Sequence, residues 1–177
     1  MTDKPVVNVH LKVTSKVWPS FRVKITDSNF LSLVETAKFD RDDVNLEDWE
    51  EHQVPNDEIG KTVEVFLIDF PENKTTNEVL LELDEIGFRP ANLFELLALA
   101  KSFPLEQRKY PIVALGSSQY LGTTLPSRST GIGVIVIKTD HFNSLRIVEE
   151  WTIEGDDISG FGTGWTTNYR FAAVRKD

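Results

Sequence analysis

Apolar and polar residues alternate over residues 7–13 and again over residues 21–25. Side chains of a β-strand point alternately to its two faces, so this period of two predicts strands that each bury one face. Trp18-Pro19-Ser20 separates the two runs and predicts a break between them. Residues 1–26 are therefore expected to form a β-hairpin or two edge strands, as an N-terminal extension of the main domain.

Apolar residues recur at helical spacing in residues 30–37 and in two later segments. Ser28 stands where it would cap the first of these helices, which is short and amphipathic. Thr75 and Glu78 match a capping box, in which each side chain binds the other residue's backbone amide, at the start of the second helix. Gly87 is predicted to supply the left-handed residue that ends that helix.

The third predicted helix begins at Asn92, with Glu95 three residues later, and ends before Pro104. Phe88-Arg89-Pro90 precedes it and predicts an extended linker, because a proline disfavours helical geometry in the residue before it. The helix has an apolar side that is expected to be buried and consists of Leu93, Leu96, Leu97 and Ala100.

Five further runs favour strands: residues 62–70, 110–116, 132–138, 145–153 and 169–175. The run at 110–116 is continuously apolar, as expected of a central strand buried on both faces. The terminal run at 169–175 is expected to lie beside it. These strands, with helices between them and no internal repeat, predict one α+β domain over residues 1–177.

Two segments are predicted to be loops. Residues 40–60 are acidic and surround Trp49, and residues 117–130 are polar and contain glycine. The start of the acidic loop, residues 40–45, superficially matches a calcium-binding loop. However, Val44 stands where a third ligand belongs and no glycine follows at the sharp turn. A solvated loop around one anchoring tryptophan is the preferred interpretation.

Composition narrows the function classes. The formal net charge of −9 opposes nucleic-acid binding, which needs clustered Lys and Arg to neutralise phosphates. The chain has no cysteine, which excludes disulfides, thiolate zinc sites and cysteine nucleophiles. No window has the apolar length of a signal sequence or a membrane span. We therefore expect a protein that does not insert into membranes, with a cytoplasmic location.

Patterns that would indicate a reaction fail on inspection. His10, His52 and His141 are not paired with another ligand at helical spacing. Ser117-Ser118 follows a buried strand, but the strand–turn–helix elbow of a serine hydrolase is absent. Residues 160–164 are rich in glycine, yet no phosphate-binding lysine stands beside them. The sequence therefore predicts no enzyme, no cofactor and no metal site.

Aromatic residues interleave with Ser, Thr, Asn and Gly over residues 151–168. Rigid aromatic anchors beside adaptable small polar groups are typical of a recognition surface. The alternative is that the aromatic residues belong to the core, which suits Trp151 and Tyr169 better. The candidate ligand-binding residues are Asp156, Ser159, Phe161, Thr163, Trp165, Thr166 and Asn168.

Four stretches carry a family resemblance: GFRPA at 87–91, ELLA at 95–98, PIVALGS at 111–117, and GW at 164–165 followed by YRFAAVRK at 169–176. Together they resemble a family of bacterial and candidate-phylum proteins with a C-type-lectin-like fold of the formylglycine-generating-enzyme type. The resemblance begins near Phe30, so it covers the chain except for its first two dozen residues or so.

The resemblance implies a fold and a role. Members of this fold in diversity-generating retroelement systems carry a hypervariable tract before the terminal strand, where a rigid scaffold displays changing side chains to a ligand. By position, that tract corresponds to residues 151–168 here. Formylglycine-generating activity depends on cysteines, so this chain is not expected to share it.

These observations predict a C-type-lectin-like α+β domain with two helices packed on a twisted, mostly antiparallel sheet. The expected function is non-catalytic binding of a protein or surface ligand whose identity the sequence leaves open. The alternative is a structural or assembly component of a phage or cell surface that oligomerises through its N-terminal strands. A hydrolase or metalloenzyme would need a carboxylate or histidine cluster that the sequence does not show.

Overall fold

The computed structural model describes much of the chain from Ser15 onward. The described residues are 15–26, 29–37, 39, 41–42, 58–124, 129–138, 144–153 and 165–177. Within them the secondary structure runs in the order β1 (Lys16–Lys24), α1 (Phe30–Thr36), β2 (Arg41–Asp42), β3 (Thr62–Asp69), α2 (Thr76–Glu85), β4 (Phe88–Pro90), α3 (Leu93–Ser102), a 3-10 turn (Glu106–Arg108), β5 (Ile112–Thr124), β6 (Ser129–Lys138), β7 (Ser144–Ile153) and β8 (Arg170–Arg175).

The described strands form one mixed sheet in the order β1-β3-β8-β5-β6-β7-β2, with β4 added beside β8. The terminal strand β8 lies near the middle, antiparallel to β3 and parallel to β5. Ile112 of β5 pairs with Arg170 of β8, which confirms that the terminal strand lies beside the buried strand. The α+β class is thus confirmed, with antiparallel pairing in most of the sheet.

Local capping explains where the two central helices begin. The hydroxyl of Thr75 accepts a hydrogen bond from the amide of Glu78, whose carboxylate accepts one from the Thr75 amide. Asn92 and Glu95 make the same reciprocal pair at the start of α3. Both arrangements satisfy amides that a helix leaves unpaired at its first turn, and both confirm the predicted helix starts.

Gly87 ends α2 with φ of +81°, as predicted. The short helix α1 is also confirmed, but a different residue lies at its start. The Asn29 side chain accepts a hydrogen bond from the Ser32 amide at 3.3 Å, and the predicted cap Ser28 lies outside the described residues.

The core is divided between the two faces of the sheet. On one face, α1 and α3 pack against Leu67, Ala172 and neighbouring strand residues. On the other face, α2 packs with Phe88 and Trp165 against a second apolar cluster. Every residue of α3 from Leu93 to Ala100 is buried, so α3 is a core helix that is enclosed all round and not an amphipathic one. The described part of the chain thus has three α-helices, on both faces of the sheet, where two packed helices were expected.

Two predictions of a break or loop are wrong, and the linker predicted at residues 88–90 is extended, as predicted, but belongs to the sheet. The break at Trp18-Pro19-Ser20 lies inside β1, where a register shift between Val17 and Ser20 accommodates it. Proline is tolerated at such a bulge, and among the described strands β1 has a ladder partner, β3, on one edge only. Residues 117–124 continue β5, and residues 88–90 form β4 because β8 offers them an edge.

Other predictions fall on residues that the structure does not describe. These are the strand at 7–13, most of the acidic loop at 40–60 with Trp49, and the three histidines. None of the described helices has the length and apolarity that crossing a membrane requires.

Candidate functional site

In the candidate segment, residues 151–153 form the end of β7 and residues 165–168 directly precede β8. Of its seven candidate ligand-binding residues, four lie outside the described residues: Asp156, Ser159, Phe161 and Thr163. The other three, Trp165, Thr166 and Asn168, lie in the short connection that enters β8. The geometry of the site is therefore described at its C-terminal end.

Trp165 belongs to the core and is not an exposed anchor. Its side chain packs in the cluster beneath α2, and the residue is 7% exposed. The indole ring makes edge contacts with Tyr169 at 5.2 Å and with Phe171 at 5.9 Å between ring centroids. Its Nε1–H donates a hydrogen bond of 2.7 Å to Oγ1 of Thr76, the first residue of α2. A large ring with one polar atom is stabilised most where the ring is buried and that atom finds an acceptor.

The backbone of Trp165 is fixed as firmly as its side chain. Lys74 and Trp165 form an isolated antiparallel bridge, in which each amide donates to the other residue's carbonyl. The bridge ties the end of the candidate segment to the turn that precedes α2. Trp165 is therefore fixed through both its backbone and its side chain.

A buried ion pair supports this bridge. Lys74 Nζ lies 2.6 Å from Glu82 Oε1, and both side chains are about nine-tenths buried. Burial lowers the pKa of Lys74, but hydrogen bonding to Glu82 and the charge of that carboxylate outweigh burial and raise the pKa above its ordinary value of 10.5. Lys74 therefore stays charged, and its charge is matched by a carboxylate of α2.

Thr166 and Asn168 are exposed, as a recognition surface requires. They lie in a tight turn closed by a hydrogen bond of 3.2 Å from the Tyr169 amide to the Thr166 carbonyl. Tyr169 is half-buried against the core, in agreement with the core position that suits it better. The turn therefore presents two small polar side chains on a backbone that is held in place.

Arg170 holds the same turn from the sheet side. Its guanidinium donates to the Thr167 carbonyl at 3.2 Å and pairs with Asp69 at the same distance. It also stacks over the Tyr110 ring at 4.6 Å. A planar, delocalised cation suits this combination of stacking and hydrogen bonding. Neither Asp69 nor Tyr110 stood out in the sequence, because only the sheet brings them to Arg170.

A second concave site lies at the opposite end of β8, where β3 and β8 diverge. Their pairing stops at Val65 and Val174, although β3 begins three residues earlier, at Thr62. The resulting cleft has a volume of about 560 Å³. Its lining includes the apolar residues Ile25, Val63 and Val174 on one face of the sheet, Phe66 on the other face, and acidic and basic side chains in equal number.

Arg89 lines this cleft and is held by Glu95 of α3. Nη1 and Nη2 donate to the two carboxylate oxygens at 3.0 and 2.7 Å. The Glu95 side chain is 2% exposed, whereas that of Arg89 is 42% exposed. Hydrogen bonding to Glu95 raises the pKa of Arg89 above its ordinary value. The sequence analysis assigned Arg89 only to an extended linker, since its partner and the cleft depend on tertiary contacts.

Within the described part of the chain, no group of three or more His, Asp or Glu side chains is placed to hold a metal ion. Comparison of the chain with protein-family models, with curated proteins and with solved structures gives no match. The functional argument therefore rests on the site geometry itself.

Proposed function

We propose that this protein is a non-catalytic ligand-binding protein with a C-type-lectin-like fold, whose recognition surface is formed by residues 151–168. The order of elements supports the fold: β3, two capped helices, the buried strand β5, the strands β6 and β7, and the terminal strand β8. In the sheet, β8 returns between β3 and β5. This order agrees with the family resemblance of the sequence.

The observation that carries the proposal is the firm attachment of the C-terminal end of this segment. The two-way backbone bridge to Lys74 and the buried Trp165 indole fix its exit, and Thr166 and Asn168 follow on the surface. Binding loops are typically variable segments carried by a rigid scaffold. A preformed turn also reduces the entropy that is lost when a ligand binds.

The corrected site excludes Trp165 from ligand contact. Thr166 and Asn168 supply hydroxyl and amide groups that both donate and accept hydrogen bonds. The remaining proposed contacts are Asp156, Ser159, Phe161 and Thr163, as the sequence pattern predicts. In this proposal Phe161 is the aromatic anchor of the surface, and Trp165 positions the segment.

One experiment tests ligand binding directly. The protein and a double variant, Thr166→Ala with Asn168→Ala, are screened on one array of glycans and cell-surface proteins. Since both residues are exposed, the double variant is expected to keep its stability and to lose ligands that the parent retains. A control variant, Leu105→Ala, changes a residue that is 71% exposed outside the segment and should keep the parent's binding. Identical binding by all three proteins would exclude this turn from recognition.

We further propose that the segment is diversified by a retroelement. Sequencing the locus from many isolates is expected to show substitutions concentrated in residues 151–168, with Trp165 constant because it is buried. A template repeat and a reverse transcriptase gene should lie nearby. A uniform segment without a template repeat would leave a fixed binding protein on the same scaffold.

The assembly alternative concerns strand β1, which lies at one end of the described sheet. Val17 on this strand is 42% exposed, but Pro19 and the register shift beside it interrupt a continuous edge. Such interruptions oppose edge-to-edge pairing of strands. Light scattering after size-exclusion chromatography distinguishes the two functions, since assembly through β1 requires a stable oligomer that Val17→Lys dissociates.

A further inference from the structure

We infer that the cleft between β3 and β8 is a binding site for a small carboxylate with a hydrocarbon body. The cleft forms because β3 stays paired with β1 as far as Thr62, while β8 stays paired with β4 as far as Arg175. The two central strands therefore separate beyond Val65 and Val174. This inference does not depend on the function proposed for residues 151–168, whose described residues 165–168 enter β8 at its opposite end.

Arg89 provides the recognition group. A guanidinium has five N–H donors, and three of those of Arg89 are used. Two donate to Glu95, and one donates to the Pro90 carbonyl at 3.3 Å. The remaining two are Nε–H and the second Nη2–H, which lie on one edge of the guanidinium. Neither has a hydrogen-bond partner among the residues that the structure describes.

This edge of Arg89 matches a carboxylate in shape and charge. Two parallel N–H donors bind the two oxygens of one carboxylate, which gives the strong bidentate geometry of arginine. Glu95 already occupies the other edge and restrains the side chain, so Arg89 loses little freedom when a second carboxylate binds. The Asn92 amide also donates to Glu95, which fixes that carboxylate in turn.

The charges of the lining residues permit an anion despite the acidity of the whole chain. Four basic residues, Lys61, Arg89, Arg175 and Lys176, face four acidic residues, Glu58, Glu64, Glu95 and Asp177. The lining is therefore neutral overall, although the chain carries a net charge of −9.

Several of the acidic groups already have partners. Glu95 pairs with Arg89, while Glu58 accepts a hydrogen bond from the Asn92 side chain and Glu64 accepts one from the Ser20 hydroxyl. These contacts reduce the repulsion from three of the four acidic side chains. Asp177 remains, and among the basic side chains Lys176 pairs with Asp84 outside the cleft, so Arg89 is the group that attracts the anion.

The apolar part of the lining selects the rest of the ligand. Ile25, Val63 and Val174 lie on the same face of the sheet as Arg89 and would contact a hydrocarbon chain or ring extending from the carboxylate. Phe66 lines the cleft from the other face, where Arg175 stacks over its ring at 5.2 Å. A cleft of this volume that combines apolar side chains with fixed charged groups can hold a small ligand that has both a polar and an apolar part.

The test uses hexanoate as the probe and hexan-1-ol as its uncharged counterpart, each titrated into the full chain and followed by amide NMR shifts. We expect hexanoate to shift amides of residues 61–66, 89 and 174–176, and hexan-1-ol to bind at least about tenfold more weakly, since it lacks the charge-assisted bonds. Equal binding of the two probes, or shifts elsewhere only, would overturn the inference.

Two variants make the test specific. Arg89→Lys keeps a cation beside Glu95 but removes the pair of N–H donors, Nε–H and the second Nη2–H, that would bind the ligand. Hexanoate should therefore bind this variant about tenfold more weakly than the parent. Thr62→Trp adds an aromatic ring at an exposed strand position on the cleft wall, where strands tolerate aromatics, and should block hexanoate without unfolding the protein. If hexanoate binds a folded Thr62→Trp variant as it binds the parent, the cleft is not the site.

Discussion

The backbones of Lys74 and Trp165 exchange two hydrogen bonds, with N–O distances of 3.0 and 2.7 Å. This bridge joins the turn before α2 to the segment before β8, which are far apart along the chain. The Trp165 indole adds a bond to Thr76, and the Lys74 ammonium adds an ion pair with Glu82. Four interactions of different kinds thus converge where the candidate binding segment ends.

Replacing Trp165 tests whether this convergence stabilises the fold. Trp165→Ala removes a buried ring and is expected to lower the free energy of unfolding by about 3–5 kcal/mol. Trp165→Phe keeps an aromatic ring but loses the hydrogen bond to Thr76, so a smaller loss is expected. Urea unfolding followed by circular dichroism measures both losses.

The matched control is Thr167→Ala, two residues away in the exposed turn. It should change the free energy of unfolding by no more than about 0.5 kcal/mol. If Trp165→Ala were as mild as this control, Trp165 would not anchor the segment.

The Lys74–Glu82 pair should show strong coupling in a double-mutant cycle. Lys74→Met leaves the Glu82 carboxylate buried without its cation, whereas Glu82→Leu leaves Lys74 with the exposed carboxylate of Glu72 at 3.4 Å. Lys74→Met is expected to cost about 3–5 kcal/mol, because an uncompensated buried charge remains, and Glu82→Leu is expected to cost less. The double variant should recover most of this loss, since neither charge is then present. Additive losses in the cycle would show that the two side chains act independently.

Lowering the pH should destabilise the N-terminus of α2, because Glu78 becomes protonated. The Thr75 amide donates to the Glu78 carboxylate and, with the Thr75 hydroxyl, lowers the pKa of Glu78 below its ordinary value of 4.5. A carboxyl with a lowered folded-state pKa contributes stability above its unfolded pKa and loses that contribution as pH falls through the folded value. The stability that Glu78 adds is therefore expected to be complete above about pH 4.5 and to decline below it.

Glu78→Gln isolates this effect, because glutamine keeps the capping geometry without the charge. Urea unfolding gives the free energy of unfolding of the parent and of Glu78→Gln at pH 7 and at pH 3. The difference between the two proteins should be smaller at pH 3 than at pH 7. A difference that grows as pH falls would contradict the assignment.

Two glycines should respond differently to the same substitution. A Cβ on Gly116 would lie 2.6 Å from the Ala91 carbonyl oxygen, which belongs to the backbone and cannot move aside easily. A Cβ on Gly87 would meet no atom within 4 Å, but this residue has φ of +81°. Gly87→Ala is therefore expected to cost about 1–2 kcal/mol from backbone conformation alone.

Gly116→Ala is expected to cost more than Gly87→Ala, because it would also strain the hydrogen bond of 2.9 Å from the Gly116 amide to Ala91. Thermal unfolding of the two variants ranks them. If Gly87→Ala lost more stability than Gly116→Ala, the backbone at Ala91 would have moved to accommodate the new methyl group at a small cost.

The helices and most strands followed from local patterns. The capping boxes at Thr75 and Asn92 involve residues three apart, so the sequence displays them completely. The left-handed Gly87 and the apolar run of strand β3 are local in the same sense. Each of these predictions was confirmed because it required no knowledge of distant neighbours.

The roles of Trp165 and Arg89 could not be predicted from the residues next to them in the sequence. Trp165 was predicted to face a ligand, since an aromatic residue among Gly and Thr resembles a recognition surface. Its burial depends on Thr76, Phe171 and Tyr169, and only the return of β8 beneath α2 brings Thr76 to it. Arg89 was similarly assigned to a linker, because Glu95 and the strand β8 define its role only in space.

The sequence by itself therefore determined the α+β class, the positions of the helices and the pairing of the terminal strand with the buried strand. These depend on periodicity, on capping and on continuous apolar runs, which act over a few residues. The tertiary structure alone decided that Trp165 is a core residue, that Lys74 pairs with Glu82, and that β3 and β8 open a cleft beside Arg89. Burial and charge pairing depend on which distant residues meet, and the chain settles that only when it folds.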